Sequence, residues 1–199
     1  VAKEGKAPVL TPQQIRVVFK AAELTRHAKR NIGILHCSFS LGMRACEIRR
    51  LRVCDVLQAD GKTLVDNINL LKMMTKGKKQ RHVPFSNPKA RQAISEYLQE
   101  KMSNGFNLDM EKPLFESQKG GEFTVEAITV VFKRIFRLAG LENAKSHSGR
   151  RTCLTMYYRR CRDIKSLQQI AGHESINTTQ GYIDADPYKL GKIMRESYF

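Results

Sequence analysis

The chain has no run of about 18 apolar residues, so no membrane-spanning helix is expected from it. Its first residues, Val1-Ala2-Lys3-Glu4-Gly5-Lys6, lack the apolar core of a signal peptide. Cysteine is poorly spaced for metal or disulfide chemistry. The five residues, Cys37, Cys46, Cys54, Cys153 and Cys161, are odd in number and contain no Cys-x-x-Cys pair. Neither zinc ligation nor a disulfide framework is expected, and reduced thiols in a cytoplasmic setting are. No Gly-x-x-x-x-Gly-Lys-Ser/Thr loop is present, so no ATP site is expected. No carboxylates cluster as they do in two-metal nucleases. The expectation is therefore no cofactor and no metal. Internal repeats and low-complexity segments are also absent.

Acidic residues are the remaining shortage. Thirty-five Lys and Arg stand against nineteen Asp and Glu, a formal charge of +16. Such an excess attracts polyanions. The basic residues fall in several places: Arg49, Arg50 and Arg52, then Lys72 to Arg81, Arg150 and Arg151, and Arg159, Arg160 and Arg162. A membrane-surface protein would concentrate them on one amphipathic helix. Dispersed over several elements, they can fold into one basic surface for nucleic acid.

The hydrophobic pattern predicts mainly helices with one small antiparallel sheet. Thr11-Pro12-Gln13-Gln14 carries a helix start, with Thr11 as cap and Gln14 completing a capping box. Further helices are predicted over 31–40, 44–51, 89–101, 124–139, 148–160, from the cap Asp163 to about 171, and around 178–182. Residues 66–73 and 81–85 read as two strands, joined by a turn at Lys76-Gly77-Lys78-Lys79. Residues 1–10 read as a basic linker and 11–186 as the main domain. Residues 187–199 read as a tail helix, with Leu190, Ile193, Met194 and Tyr198 in a stripe.

Four segments carry chemistry. Arg44 opens a helix after a glycine turn in Leu41-Gly42-Met43-Arg44-Ala45-Cys46-Glu47, with Glu47 three residues on. The turn between the strands brings Lys76, Lys78, Lys79 and Arg81 together. His147-Ser148-Gly149-Arg150-Arg151 sets a histidine three residues before an arginine at a helix start. Gly172-His173 precedes Tyr182 by nine residues, through Thr178-Thr179.

Taken in order, these segments resemble the tyrosine site-specific recombinases, the phage-integrase family. The family patterns are Thr-Gly-Leu-Arg-x-x-Glu, Gly-Lys-Gly-x-Lys-x-Arg-x-Val-Pro, His-x-Leu-Arg-His and Leu-Gly-His-x-x-x-x-Thr-Thr-x-x-Tyr. Gly149, Arg151 and Ala171 depart from them. The resemblance spans roughly residues 10 to 199. It implies a DNA breaking-rejoining catalytic fold and Tyr182 as nucleophile toward a DNA phosphate. Arg44 and Arg150 become phosphate clamps, and Glu47 the buttress of Arg44. Lys76 becomes the general acid toward the leaving 5′ oxygen, with Lys78 and Lys79 as rivals. His147 and His173 become proton carriers or hydrogen-bond donors. Arg49, Arg50, Lys78, Lys79, Arg81 and Arg151 are expected to contact DNA.

The residue types suit the reaction. A guanidinium can donate twice to phosphate oxygens. Side-chain cations can stabilise charge building on non-bridging oxygens. The resemblance further implies double-stranded DNA as partner, a monomer free in solution, and a homotetramer on DNA with exchanged tails. It implies a nucleoid-associated enzyme of prokaryotic, phage or mobile-element origin. The resemblance also leads to the expectation that the N-terminal DNA-clamp domain usual in the family is absent from this chain. Two other readings stay open: type IB topoisomerase-like cleavage and resealing, and a non-catalytic basic DNA-binding module.

Overall fold

A computed structural model describes residues 5–75, 80–103, 109–183 and Arg195. Lys76, Lys78 and Lys79 lie outside the described residues, as does the expected tail helix apart from Arg195. Among the described residues the chain is mainly helical, with one two-stranded antiparallel sheet, as the pattern predicts.

Helix α1 (Pro12–Glu23) starts as its sequence dictates. The Thr11 side chain accepts from Gln14 N, the Gln14 side chain accepts from Thr11 N, and Pro12 takes the first turn. Helix α2 (Ala28–Phe39) is the central element, packed on α1, on α4 (Pro88–Ser103) and on α6 (Ser148–Cys161). Helix α5 (Val125–Leu138) buries Ile128, Phe132, Ile135 and Phe136, an i, i+4, i+7, i+8 stripe. Short α3 (Ala45–Ile48) joins α2 to a single 3-10 turn at Val53–Asp55.

Strands β1 (Asn67–Leu70) and β2 (Arg81–Pro84) pair with Ile68 opposite Val83 and Leu70 opposite Arg81. The first strand is shorter than expected. After Leu70 the backbone turns into a 3-10 turn, Lys72–Met74, which buries Met74 and leaves Met73 71% exposed. Alternation decides what faces inward: Ile68, Leu70, Arg81 and Val83 are buried, and their neighbours are exposed.

The C-terminal part carries α6, α7 (Ile164–Ala171) and α8 (Ile176–Ile183). These form a small second cluster of Leu154, Leu167 and Ala171, with Tyr157, Tyr158, Ile170 and Tyr182 against it. Asp163 caps α7 by accepting from Lys165 N, and Gly172 ends it at φ +61°. Leu10, at the end of the expected linker, belongs to the main core. It is 3% exposed, and its N–H donates to the Thr152 hydroxyl of α6.

Candidate active site

Arg44 stands at the N-cap of α3 in extended backbone, so Glu47 reaches back to it. The Glu47 carboxylate, wholly buried, accepts from Arg44 N at 2.7 Å and from Arg44 Nη1 at 2.8 Å. It also accepts from Arg81 Nη2 at 2.6 Å and from Arg81 Nε at 3.4 Å. Arg81 was expected on the DNA-facing surface. Strand alternation puts it inside instead: it is 7% exposed, and its Nη1 donates to Ile170 O of α7 at 2.6 Å. One carboxylate thereby links α3, the hairpin and, through Arg81, α7. Burial raises the Glu47 pKa. The Arg81 charge and hydrogen bonds, then Arg44, outweigh that and pull it below its ordinary value.

Arg150 is buried in the first turn of α6, 2% exposed. Its Nη1 donates to Gly42 O, and its Nη2 donates to Ala171 O at 2.6 Å and to His173 Nε2 at 3.2 Å. Burial, then the charges of Arg44 and Arg81, lower its pKa to about 10, so it stays a cation at neutral pH. Gly149 explains how α6 comes so close to α2. A Cβ there would stand 2.4 Å from Ser38 Oγ and 2.9 Å from the Phe39 ring. The apolar residue of the resembled motif has no room. Gly172 is fixed twice over, by its positive φ and because a Cβ would meet Arg81 Cδ at 2.6 Å.

His173 receives a proton donor at Nε2, so its own proton sits on Nδ1 and is donated to Thr179 Oγ1 at 3.1 Å. Thr179 is fully buried. Its hydroxyl anchors the Nδ1 edge of the imidazole, while the Arg150 donor at Nε2 sets the tautomer. Burial, then Arg150, Arg44 and Arg81, push the His173 pKa down to about 4. The Tyr182 ring stacks on the His173 imidazole, with centroids 5.2 Å apart and planes at 27°. The guanidinium carbon of Arg151 lies 5.9 Å from the same ring centroid.

His147 and Arg150 do not share a face as the spacing predicts. His147 is the N-cap, outside the helix proper, and is exposed, whereas Arg150 points inward. His147 borders a cavity with Tyr182 and Arg151, and another with Arg44. Arg49 and Arg50 hold neighbouring loops: Arg49 Nη1 pairs with Glu122 and donates to Phe123 O, and Arg50 donates to Met73 O. Arg44, Arg150 and Arg81 thus set three guanidinium charges against the single carboxylate of Glu47. Arg44, Arg81 and His173 border a cavity of about 610 Å³.

The profile of the phage integrase family matches residues 8–188. This chain belongs to the phage integrase family. It is 30% identical over 194 residues to tyrosine recombinase XerC of Oceanobacillus iheyensis, covering 95% of this chain and 60% of that protein. It is 26% identical to tyrosine recombinase XerC of Corynebacterium efficiens, covering 89% and 54%. The chain therefore spans somewhat more than half the length of these relatives. Among solved structures, the XerA recombinase superposes with a TM-score of 0.76 at 25% identity, covering 98% of this chain and 67% of that one. The XerH site-specific recombinase bound to its difH substrate, in a pre-cleavage complex, gives 0.69 at 25% identity, covering 89% and 51%.

The buried groups predict acid lability. The unfolded chain protonates His36 and His173 near 6.5, and the folded chain only near 4. Between those values the unfolded state binds more protons, so stability falls as pH is lowered. Glu47 acts in the same direction. Its depressed folded pKa gives stability present above the ordinary carboxylate range and lost as pH falls through the folded value. Melting temperature should decline steadily from pH 6.5 to 4 and faster below. A flat profile down to pH 4 would show that these groups are not held as described.

Proposed function

We propose that this chain is the DNA-cleaving and rejoining unit of a site-specific recombinase. The observation that carries the reading is the placement of Tyr182. Its ring lies against His173, which is bonded to Arg150 and shares a cavity with Arg44 and Arg81, the two guanidinium groups that Glu47 bridges. A net positive cavity next to a tyrosine suits attack on a phosphodiester.

In this reading the Tyr182 phenol oxygen attacks phosphorus, and the P–O bond to the phenol forms as the bond to the 5′ oxygen breaks. The phenol proton is lost, and the 5′ oxygen gains one. The product is a 3′-phosphotyrosine and a free 5′ hydroxyl. A 5′ hydroxyl from another strand reverses the step and completes the exchange, so no ATP is consumed. Arg44 and Arg150 hold the non-bridging oxygens. His147, in the Tyr182 cavity, is our choice for the proton carrier. We assign Lys76 to the proton delivered to the 5′ oxygen.

His173 has a second requirement. To donate to a phosphate oxygen from Nε2 it must shift its proton from Nδ1. The Thr179 hydroxyl can turn from acceptor to donor toward Nδ1, and Arg150 Nη2 must leave Nε2 for the phosphate. Exchange between two duplexes cuts four strands, one per tyrosine, so we assign a DNA-bound tetramer. The apolar stripe of residues 187–199 is our choice for contacts between protomers. The DNA in the XerH complex supports duplex DNA as the partner, and the net charge of +16 agrees with it.

The test is cleavage of duplex DNA with and without EDTA, followed by denaturing electrophoresis. A denaturation-resistant protein–DNA band formed equally in both is expected. Strict dependence on a divalent cation would overturn the mechanism, because the positive charge here is assigned to side chains. The Lys76 assignment has its own check. Lys76→Ala should slow cleavage of ordinary DNA much more than cleavage of a 5′-bridging phosphorothiolate, whose thiolate leaves without a proton. Equal slowing would move the acid to Lys78 or Lys79.

A further inference from the structure

Arg151 occupies the place where the resembled motif carries its second histidine, and nothing in that motif says what an arginine does there. Three observations bear on it. Its guanidinium carbon is 5.9 Å from the Tyr182 ring centroid, within reach of a cation–π contact. Its Nε is buried and has no hydrogen-bond partner among the described residues. It borders, with Tyr182, His147, Lys145 and Lys6, a cavity of about 520 Å³ distinct from the one bordered by Arg44 and Arg81.

The helix that carries Tyr182 needs outside support. It has eight residues, Ile176–Ile183, of which Ile176, Asn177, Thr178 and Gln180 are exposed, and the apolar cluster beneath it has three buried members. Two turns of helix hold a side chain loosely unless other elements fix it. His173 supplies one fixing contact, from the turn just before α8. Arg151 supplies the second, from α6, one residue after the phosphate-clamp candidate Arg150.

We propose that Arg151 is the positioning residue of the nucleophile. Its guanidinium holds the Tyr182 ring against His173, so that α6 sets the phosphate clamp and the attacking tyrosine together. This gives Arg151 a task inside the protein rather than on the DNA backbone. The proposal rests on Tyr182 being the nucleophile, but the ring contact itself can be measured without DNA.

The experiment uses the whole chain as R151Q, R151K and R160A, with R160A as an exposed control on the same helix. Incorporated 3-fluorotyrosine gives a 19F resonance for Tyr182, assigned by its loss in Y182F. In DNA-free protein that resonance should move in R151Q, move less in R151K, and stay in R160A. With saturating nicked duplex that traps the adduct, R151Q should form covalent complex roughly threefold to thirtyfold more slowly, the range of a partly buried cation–π contact. R151K should recover most of that rate. Its DNA affinity and the salt dependence of that affinity should match wild type.

An unmoved resonance in R151Q, or an unchanged rate, overturns the proposal. So does a weaker affinity with a salt slope flatter by about one, which would make Arg151 a phosphate contact. If the wild-type chain forms no adduct while the resonance moves as expected, the ring contact stands and the nucleophile assignment falls.

Discussion

Tyr182→Phe is expected to abolish covalent attachment to DNA and leave DNA affinity nearly unchanged. In the proposed mechanism the phenol oxygen makes the bond to phosphorus, whereas affinity comes mainly from cations on the phosphate backbone. The phenylalanine ring keeps the stacking on His173 at 5.2 Å and the approach of Arg151, so the geometry of α8 should persist. Denaturing gels and a binding titration at fixed salt check both halves. A surviving adduct would move the nucleophile to another residue, and Tyr188 would be the first to test. Lost affinity would mean that the variant disturbs the fold of the site.

Glu47→Ala is expected to have the largest effect on stability. It leaves Arg81, with its side chain 6% exposed, without the carboxylate that accepts from it at 2.6 Å. Breaking a buried pair by removing one partner costs about 3–5 kcal/mol, because the remaining charge stays buried. Glu47 also fixes Arg44 through both backbone and side chain. Glu47→Gln should therefore retain more stability than Glu47→Ala yet still lose adduct formation, since an amide cannot satisfy two guanidinium groups. Urea unfolding and single-turnover trapping measure the two effects. A loss under about 1 kcal/mol in Glu47→Ala would show that Arg81 finds water or another anion, contrary to a buried pair.

Local chemistry was legible in the sequence wherever partners are near in the chain. Thr11 and Gln14 announce α1, and Asp163 announces α7. Arg44 and Glu47 are three residues apart and could be paired on paper. Arg81 could not, because its partners Glu47 and Ile170 are 34 and 89 residues away. One signal was available. Val83 reads as inward, and in a strand the residue two before it shares its face. Counted that way, Arg81 is internal and needs an anion. The contact of Arg151 with Tyr182 was hidden for the same reason: it joins two helices whose packing no periodicity specifies. His147 keeps helical backbone at the cap and is nevertheless exposed where Arg150 is buried, so spacing alone does not fix what each side chain faces. Gly149 departs from the resembled motif, and the close approach of α2 is the reason.

The most direct measurement is the identity of the attached residue. The chain is incubated with a nicked duplex that traps the cleaved intermediate, then digested with trypsin and nuclease. Tandem mass spectrometry reads the peptide from Ser166 to Lys189, which contains both Tyr182 and Tyr188. A nucleotide joined through its 3′ phosphate to Tyr182 is the result this account predicts. An adduct on Tyr188 or elsewhere, a 5′-phosphate linkage, or no adduct on any DNA that the chain cuts would contradict it.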